Sequence, residues 1–395
     1  MNMPEIRFKD FKNEWKHFSF KEITYKAGIK NSENLSLESY SISNELGFIP
    51  QKEQFENGGT MSKADKRMYY IVSSNSFAYN PARINVGSLG YYQGIKDVIV
   101  SSLYEVFKTS DIVDDLFLLY WFKTNIFKRM IEQYQEGGVR LYFFFDKLQK
   151  CQIKIPSLQE QQKIAFHFQK LDSLIQVTTK KLASLKQIKA ASLQSMFPQE
   201  GETVPKVRFK GLEGEWEKEK LGKLFKERIE NNINGELLSV TINNGIIKAS
   251  ENGRFDNSNN DKSHYKVVKI GDIVYNTMRM WQGASGYSAY EGIVSPAYTV
   301  IIPQEQVFPL FFAYMFKTQS LINRFRIYSQ GLTTDTWNLK FTGFSGIEVC
   351  FPKSKLEQQK IASYFYNLDK QISLQAQRLE KLKQIKAACL DKMFV

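Results

Sequence analysis

Two stretches of the chain carry an apolar stripe of the same period. Alternating steps of four and three residues from Ile164 reach Phe168, Leu171, Ile175, Thr178, Leu182, Leu185, Lys189, Ser192 and Met196, and seven of these ten are apolar. The same steps from Ile361 reach Phe365, Leu368, Ile372, Gln375, Leu379, Leu382, Lys386, Cys389 and Met393. A 3.5-residue period without glycine or proline predicts a long helix with a coiled-coil seam. Pro156 and Pro352 precede the two stretches and Pro198 follows the first, where helix starts and stops place proline. At 1.5 Å per residue each helix would reach roughly 57 Å and needs a partner along its length. The nearest matching seam is the other stretch. The two are therefore expected to pair, antiparallel if the segments before them sit at opposite ends. The expected contacts are Ile164, Leu171, Leu182, Leu185 and Ile188 against Ile361, Leu368, Leu379, Leu382 and Ile385.

These stretches are repeats. EQQKIAFHFQKLDSLIQVTTKKLASLKQIKAASLQSMF, from Glu160, returns 197 residues later as EQQKIASYFYNLDKQISLQAQRLEKLKQIKAACLDKMF, with 21 of 38 positions identical. PEIRFKDFKNEW, from Pro4, returns 201 residues later as PKVRFKGLEGEW. Between these anchors the halves share a sparse scaffold: Asp65, Lys66, Tyr69, Val72, Tyr79, Asn80, Arg83, Gly87, Gly90 and Tyr91 recur 196 residues on. The expected architecture is a mixed α/β (α+β) chain with a pseudo-twofold internal repeat. Residues 1–155 and 201–351 form similar globules, and 156–200 and 352–395 form helical spacers. Short strands such as FAYNPARINVG and DIVYNTMRM, with glycine-rich turns and a helix around Leu116 to Tyr134 and Leu310 to Tyr328, are expected in the globules. Tails that stay alike while globules diverge suit one fold carrying two specificities.

Composition narrows the chemistry. The 54 Lys and Arg exceed the 41 Asp and Glu, a net +13 over 395 residues, which suggests a polyanionic partner. With 43% hydrophobic and 14% aromatic residues the chain has side chain enough for buried cores. Cys151, Cys350 and Cys389 form no C-x-x-C pair, which argues against a disulfide framework or zinc knuckle and for a reducing, cytoplasmic setting. The longest apolar run, LFLLYWF from Leu116, is too short to span a bilayer. There is no G-x-x-x-x-G-K-[ST], and His17, His167 and His264 are dispersed, so neither a P-loop nor an HExxH metal site is expected. No catalytic residues and no metal ligands are assigned.

The globules instead place polar, aromatic and basic residues together: Tyr79, Asn80, Arg83 and Asn85 in the first, and Tyr275, Asn276, Arg279 and Trp281 in the second. Arginine pairs with guanine O6 and N7, asparagine with adenine N6 and N7, and Tyr and Lys reach phosphates. Lys66 and Lys262 join them, as do Arg140 in EGGVRLYFF and Thr333 and Thr334 in SQGLTTDTW, two loops at matching places. These are the candidate DNA-binding residues. A competing reading is that Tyr-Asn ends a strand and the arginine forms an internal ion pair. The repeated LKQIKAA block suits either two copies of one partner or helix crossing at alanine.

The PxxRF…W openings, the YN-P-x-R and YN-T-M-R segments, GIVSPAY from Gly292 and the EQQKIA…LD…LKQIKAA…MF tails together resemble the specificity (S) subunits of type I DNA restriction and modification systems. VIVSSLY, from Val98, stands where the second half has GIVSPAY. The resemblance covers essentially the whole chain. It implies two target recognition domains, each reading half of a split double-stranded DNA target, and helices that space them and dock two methyltransferase (M) subunits. It further implies S-adenosylmethionine on the M subunits, ATP and Mg on two optional restriction (R) subunits, and a non-catalytic, cytoplasmic role for this chain. The competing readings are a stand-alone methyltransferase or nuclease, and a coiled-coil adaptor for proteins.

Overall fold

In the computed structural model, residues 3–54, 65–242, 245–252 and 261–395 are described. They form two compact units: residues 1–179 with 378–395, and residues 180–377. Each globule is therefore joined by parts of both tails.

In the first unit, Lys16–Ser19 pairs antiparallel with Gln152–Ile155 and closes the globule. A four-stranded antiparallel sheet runs in the order Thr24–Lys26, Glu105–Thr109, Ser76–Tyr79, Leu89–Tyr92. A five-stranded sheet runs Ile29–Lys30, Tyr70–Val72, Val98–Val100, Ser39–Ser43, Gly47–Pro50, with the pairing of Val98–Val100 to Ser39–Ser43 parallel. The second unit repeats the closing pair and the four-stranded sheet, while its Leu238–Thr241 with Gly245–Lys248 and its Lys266–Val268 with Gly292–Val294 form separate two-stranded sheets among the described residues. Glu217–Lys220 pairs with Glu348–Phe351, and Phe225–Glu227, Tyr298–Pro303, Ile273–Asn276 and Ser285–Tyr287 make the four-stranded sheet.

The strand Ser76–Tyr79 is buried at every position, so it shows no in-out alternation. Its aromatic side chains sit between the sheet and the helices, where Phe77 stacks on Phe107 at 5.0 Å. The expected strand FAYNPARINVG ends at Tyr79. A turn and the 3-10 segment Ile84–Val86 follow, closed by Gly87 at φ 89°. The single helix expected around Leu116 to Tyr134 is two, Asp115–Trp121 and Asn125–Tyr134, and its counterpart is Pro309–Met315 and Gln319–Tyr328. Thr124 accounts for the break: its hydroxyl donates to the Trp121 carbonyl and accepts from the Phe127 N–H, capping the second helix.

The tails are continuous helices, Leu158–Ser195 and Lys355–Lys392. None of the twenty residues on the two expected stripes is exposed. In the first unit Lys386 pairs with Asp172 and Cys389 lies 3.8 Å from His167. In the second Lys189 pairs with Asp369 and Ser192 lies 2.9 Å from Tyr364. Numbers rise along one helix as they fall along its partner, so the pairing inside each unit is antiparallel. Ile188 and Ile385 depart from the expectation. At 44% and 39% exposed they face outward, because the neighbouring stripe positions Lys189 and Lys386 take the inward place to reach the aspartates.

The repeated motifs bind one another within each unit. Arg7 of the opening segment makes two 2.7 Å bonds to Glu160, and Arg208 makes the same two to Glu357. The glutamine that follows each glutamate is fully buried. Gln161 Nε2 donates to the Ile112 and Pro156 carbonyls while its Oε1 accepts from the Asp114 N–H. Gln358 does the same with Gln306, Pro352 and Phe308. The ends of the tails complete the cores. Phe394 packs on Phe117 and Phe168 in the first unit, and Phe197 on Phe311 and Phe365 in the second.

Candidate nucleic-acid interface

The turn after the buried strand is built alike in both units. Asn80 Oδ1 accepts from the Ala82 N–H at 3.0 Å and the Asn80 carbonyl from the Arg83 N–H at 3.0 Å. Asn276 holds Met278 and Arg279 in the same way. A side-chain oxygen already engaged in a turn is poorly placed for a bidentate contact to adenine, so both asparagines are turn-formers first. Tyr79 and Tyr275 require a firmer correction. Both are fully buried, their rings against Phe143 and Phe344, where no phosphate could reach them. Burial also raises both hydroxyl pKa values.

What these turns present outward is arginine. Arg83 and Arg279 are exposed, and among the described residues neither side chain has an ion-pair or hydrogen-bond partner. The internal ion pair that competed with DNA contact in the sequence is absent there. By contrast, Arg228 is held by Asp272 at 2.9 Å.

The two loops dock on these turns. The Phe143 N–H donates to the Pro81 carbonyl at 3.0 Å, and the Leu339 N–H to the Thr277 carbonyl at 2.8 Å. Each loop is closed by a reciprocal bridge, Glu136 with Tyr142 and Gln330 with Asn338. In the first unit turn and loop enclose a cleft of about 720 Å³ whose lining includes Asn80, Arg83, Arg140, Tyr104, Tyr142 and Phe144. The rings of Tyr142 and Phe144 lie parallel within 2°, centroids 5.5 Å apart. Lys26 lines the same cleft and pairs with Glu105 at 3.3 Å. Two arginines and several aromatic rings are thus gathered in one open space, which suits a polyanion that carries flat rings, while Glu105 offsets the charge of Lys26.

The remaining candidates are dispersed. Asn85 is exposed but lines a different cavity of about 440 Å³, together with Lys123 and Lys128. Lys66 and Lys262 are half-buried at the turns whose carbonyls accept from Tyr69 and Tyr265. Trp281 donates its indole N–H to the Met278 carbonyl and packs edge-on against Trp337 at 5.2 Å. Thr333 and Thr334 are exposed in the second loop, where Thr333 also takes part in a turn with Thr336. Tyr142, Phe144, Tyr104 and Lys26 were not singled out in the sequence. The LYFFF run offered a signal for the first two, but only the docked loop turns that run toward Arg83.

Among the described residues no group of His, Cys, Asp or Glu could hold a metal ion, and no helix is long and apolar enough to cross a membrane.

One sheet-and-helix globule is built twice, each copy presenting an exposed arginine beside a docked loop. The chain belongs to the family of the type I restriction modification DNA specificity domain, whose model matches residues 12–187 and 213–384. No curated protein matches it in sequence. Among solved structures, the type I restriction-modification S subunit from M. genitalium matches at 15% identity and TM-score 0.58, over 100% of this chain and 99% of that one. The HsdS subunit from Thermoanaerobacter tengcongensis matches at 14% identity and TM-score 0.49, over 96% of each chain. A structure describing complex assembly and conformational transition of the type I R-M system matches at 13% and 0.50, over 96% and 97%. The chain thus shares the fold of the M. genitalium S subunit along its whole length.

Proposed function

We propose that this chain is the DNA sequence-specificity subunit of a type I restriction-modification complex. Each globule reads one half of a split double-stranded target through its turn and docked loop. The helices set the gap between the halves and dock two adenine-methylating M subunits, so that one chain directs methylation and, where R subunits are present, restriction. S-adenosylmethionine then belongs to the M subunits and ATP with Mg to the R subunits, while this chain supplies recognition without catalysis.

The observation that carries this reading is the difference in kind between two sets of residues. The arginine–glutamate pair and the buried glutamine's three bonds recur in both units, whereas the outward loops, 136–142 and 330–338, differ in length and in every side chain facing water. A duplicated frame with divergent readers fits an asymmetric bipartite target. The outward Gln187, Ile188, Ala190 and Ala191 recur identically at Gln384, Ile385, Ala387 and Ala388, all exposed, which fits two copies of one partner.

Adenine-methylation mapping in cells with and without the gene should yield one split motif. In the same assay Arg83→Ala should relax one half-site only and Arg279→Ala the other, each by about 1–3 kcal/mol of discrimination. Methylation by the purified chain alone, or an equal loss at both half-sites, would contradict the assignment. Four residues inserted into one tail, about 6 Å of helix, should widen the gap and leave both half-sites unchanged.

A further inference from the structure

The two docked loops share a feature that folding does not explain. At the tip of each is one large aliphatic side chain with no cover at all: Val139 in the first unit and Leu332 in the second, both as exposed as a residue in an extended peptide. An isolated exposed aliphatic residue is ordinary. Two at corresponding tips, in loops of different length and composition, are less so.

Both tips are held in place. Gly137 at φ 133° and Gly331 at φ 144° shape the bends, conformations that side chains rarely adopt. A Cβ on Gly137 would collide with the Arg140 carbonyl, and one on Gly331 would sit 2.6 Å from the Thr336 carbonyl. The reciprocal bridges close each loop, and the bonds to Pro81 and Thr277 fix it to the arginine turn. Each apolar tip is followed directly by hydrogen-bonding side chains, Arg140 in one loop and Thr333 with Thr334 in the other. In the first unit Leu103, exposed on the cleft wall, adds a further apolar surface beside Arg83.

A major-groove edge presents the same juxtaposition once: the thymine C5-methyl lies next to the O4 acceptor. We propose that Val139 and Leu332 are specificity-determining residues that each contact a thymine methyl in the half-site their globule reads, with the adjacent donor on a neighbouring acceptor. This rests on the DNA-reading assignment above and adds to it the kind of base edge that the loop tips select.

The test uses the full chain in complex with its methyltransferase subunits and duplexes carrying the mapped target, with each thymidine replaced in turn by deoxyuridine. That change removes one methyl and nothing else. One replacement in each half-site should weaken binding about fourfold, as expected for one buried methyl. Val139→Ala should abolish this sensitivity in the first half-site alone, and Leu332→Ala in the second alone. Both tips are free of packing, so unchanged melting temperatures are expected and exclude misfolding. If deoxyuridine is tolerated at every position, or if the alanine variants keep the full penalty while binding stays sequence-specific, the loop-tip assignment is wrong and the DNA-reading assignment stands. If the wild-type complex shows no sequence-specific binding, the DNA-reading assignment itself fails.

Discussion

The instructive comparison is between Lys123 and Lys317, which follow the same short helix in the two units and do different things. Lys317 is half-buried, and its Nζ donates to the carbonyls of Ile242, Gly283 and Ser285, tying the hairpin and the arginine turn to the helices. Lys123 lies over the ring of Tyr120 at 5.1 Å, and among the described residues its Nζ has no hydrogen-bond acceptor. The first unit keeps an open cavity of about 440 Å³ at this place, bordered by Leu46, Gly87 and Leu89 as well as Lys123. Divergence between the copies has therefore reached a hydrogen-bonded cation, while the Asp172–Tyr120 and Asp369–Tyr314 pairs, both 2.9 Å, are unchanged. A duplicated fold preserves what joins its helices and lets go what lies above them.

The strongest way to break the equivalence of the frames is to remove the last aromatic residue of each tail. Phe394→Ala should cost the first unit about 3–5 kcal/mol, and Phe197→Ala should cost the second a similar amount. Hydrogen exchange resolved by unit should show each loss confined to its own unit; a loss spread over both would refute the contact pattern. Next comes the buried carboxylate. Glu160→Ala strands Arg7, and Glu357→Ala strands Arg208 together with the Trp216 indole that donates to Glu357 at 3.2 Å. Each should cost about 3–5 kcal/mol in chemical denaturation, the second more than the first.

The lysines should separate the units. Lys317→Met leaves three carbonyls without their donor and should cost about 1–3 kcal/mol, whereas Lys123→Met should lie within about 0.5 kcal/mol of wild type. Equal costs would mean that the divergence is only apparent. The smallest effect is in pH. Burial pulls the Lys317 pKa down to about 8 from 10.5, so between those values the unfolded chain holds the proton and the folded chain does not. Stability contributed at this position should therefore rise as pH goes from about 8 to 10.5. The difference in melting temperature between wild type and Lys317→Met should shift in favour of wild type over that range.

The sequence disclosed the frame well. A period of 3.5 needs only the identity of the apolar residues, and every stripe position came out buried or half-buried, including the two lysines that pair with aspartates. The motifs were legible as repeats, but their meaning was not. That Arg7 belongs with Glu160, 153 residues away, is set by how the globule closes on its own tail. The candidate site was legible in part. Arg83, Asn80 and Arg140 do share a cleft, because the loop docks on the turn. Tyr79 shared the same short motif but belongs to a strand buried on both faces, and local sequence does not tell a buried tyrosine from a reading one. Asn85, five residues from Asn80, lines another cavity because the 3-10 segment turns it away.

The first unit draws on residues 378–395 to finish its core, whereas the second is contained within residues 180–377. On a ribosome adding about 5–20 residues per second, the segment that closes the first globule emerges roughly 10–40 s after the rest of that globule. The half made first is thus the half completed last. Until then Phe117 and Phe168 lack the Phe394 ring that will pack on them, and a nascent chain would be open to partners at a surface that the finished protein conceals.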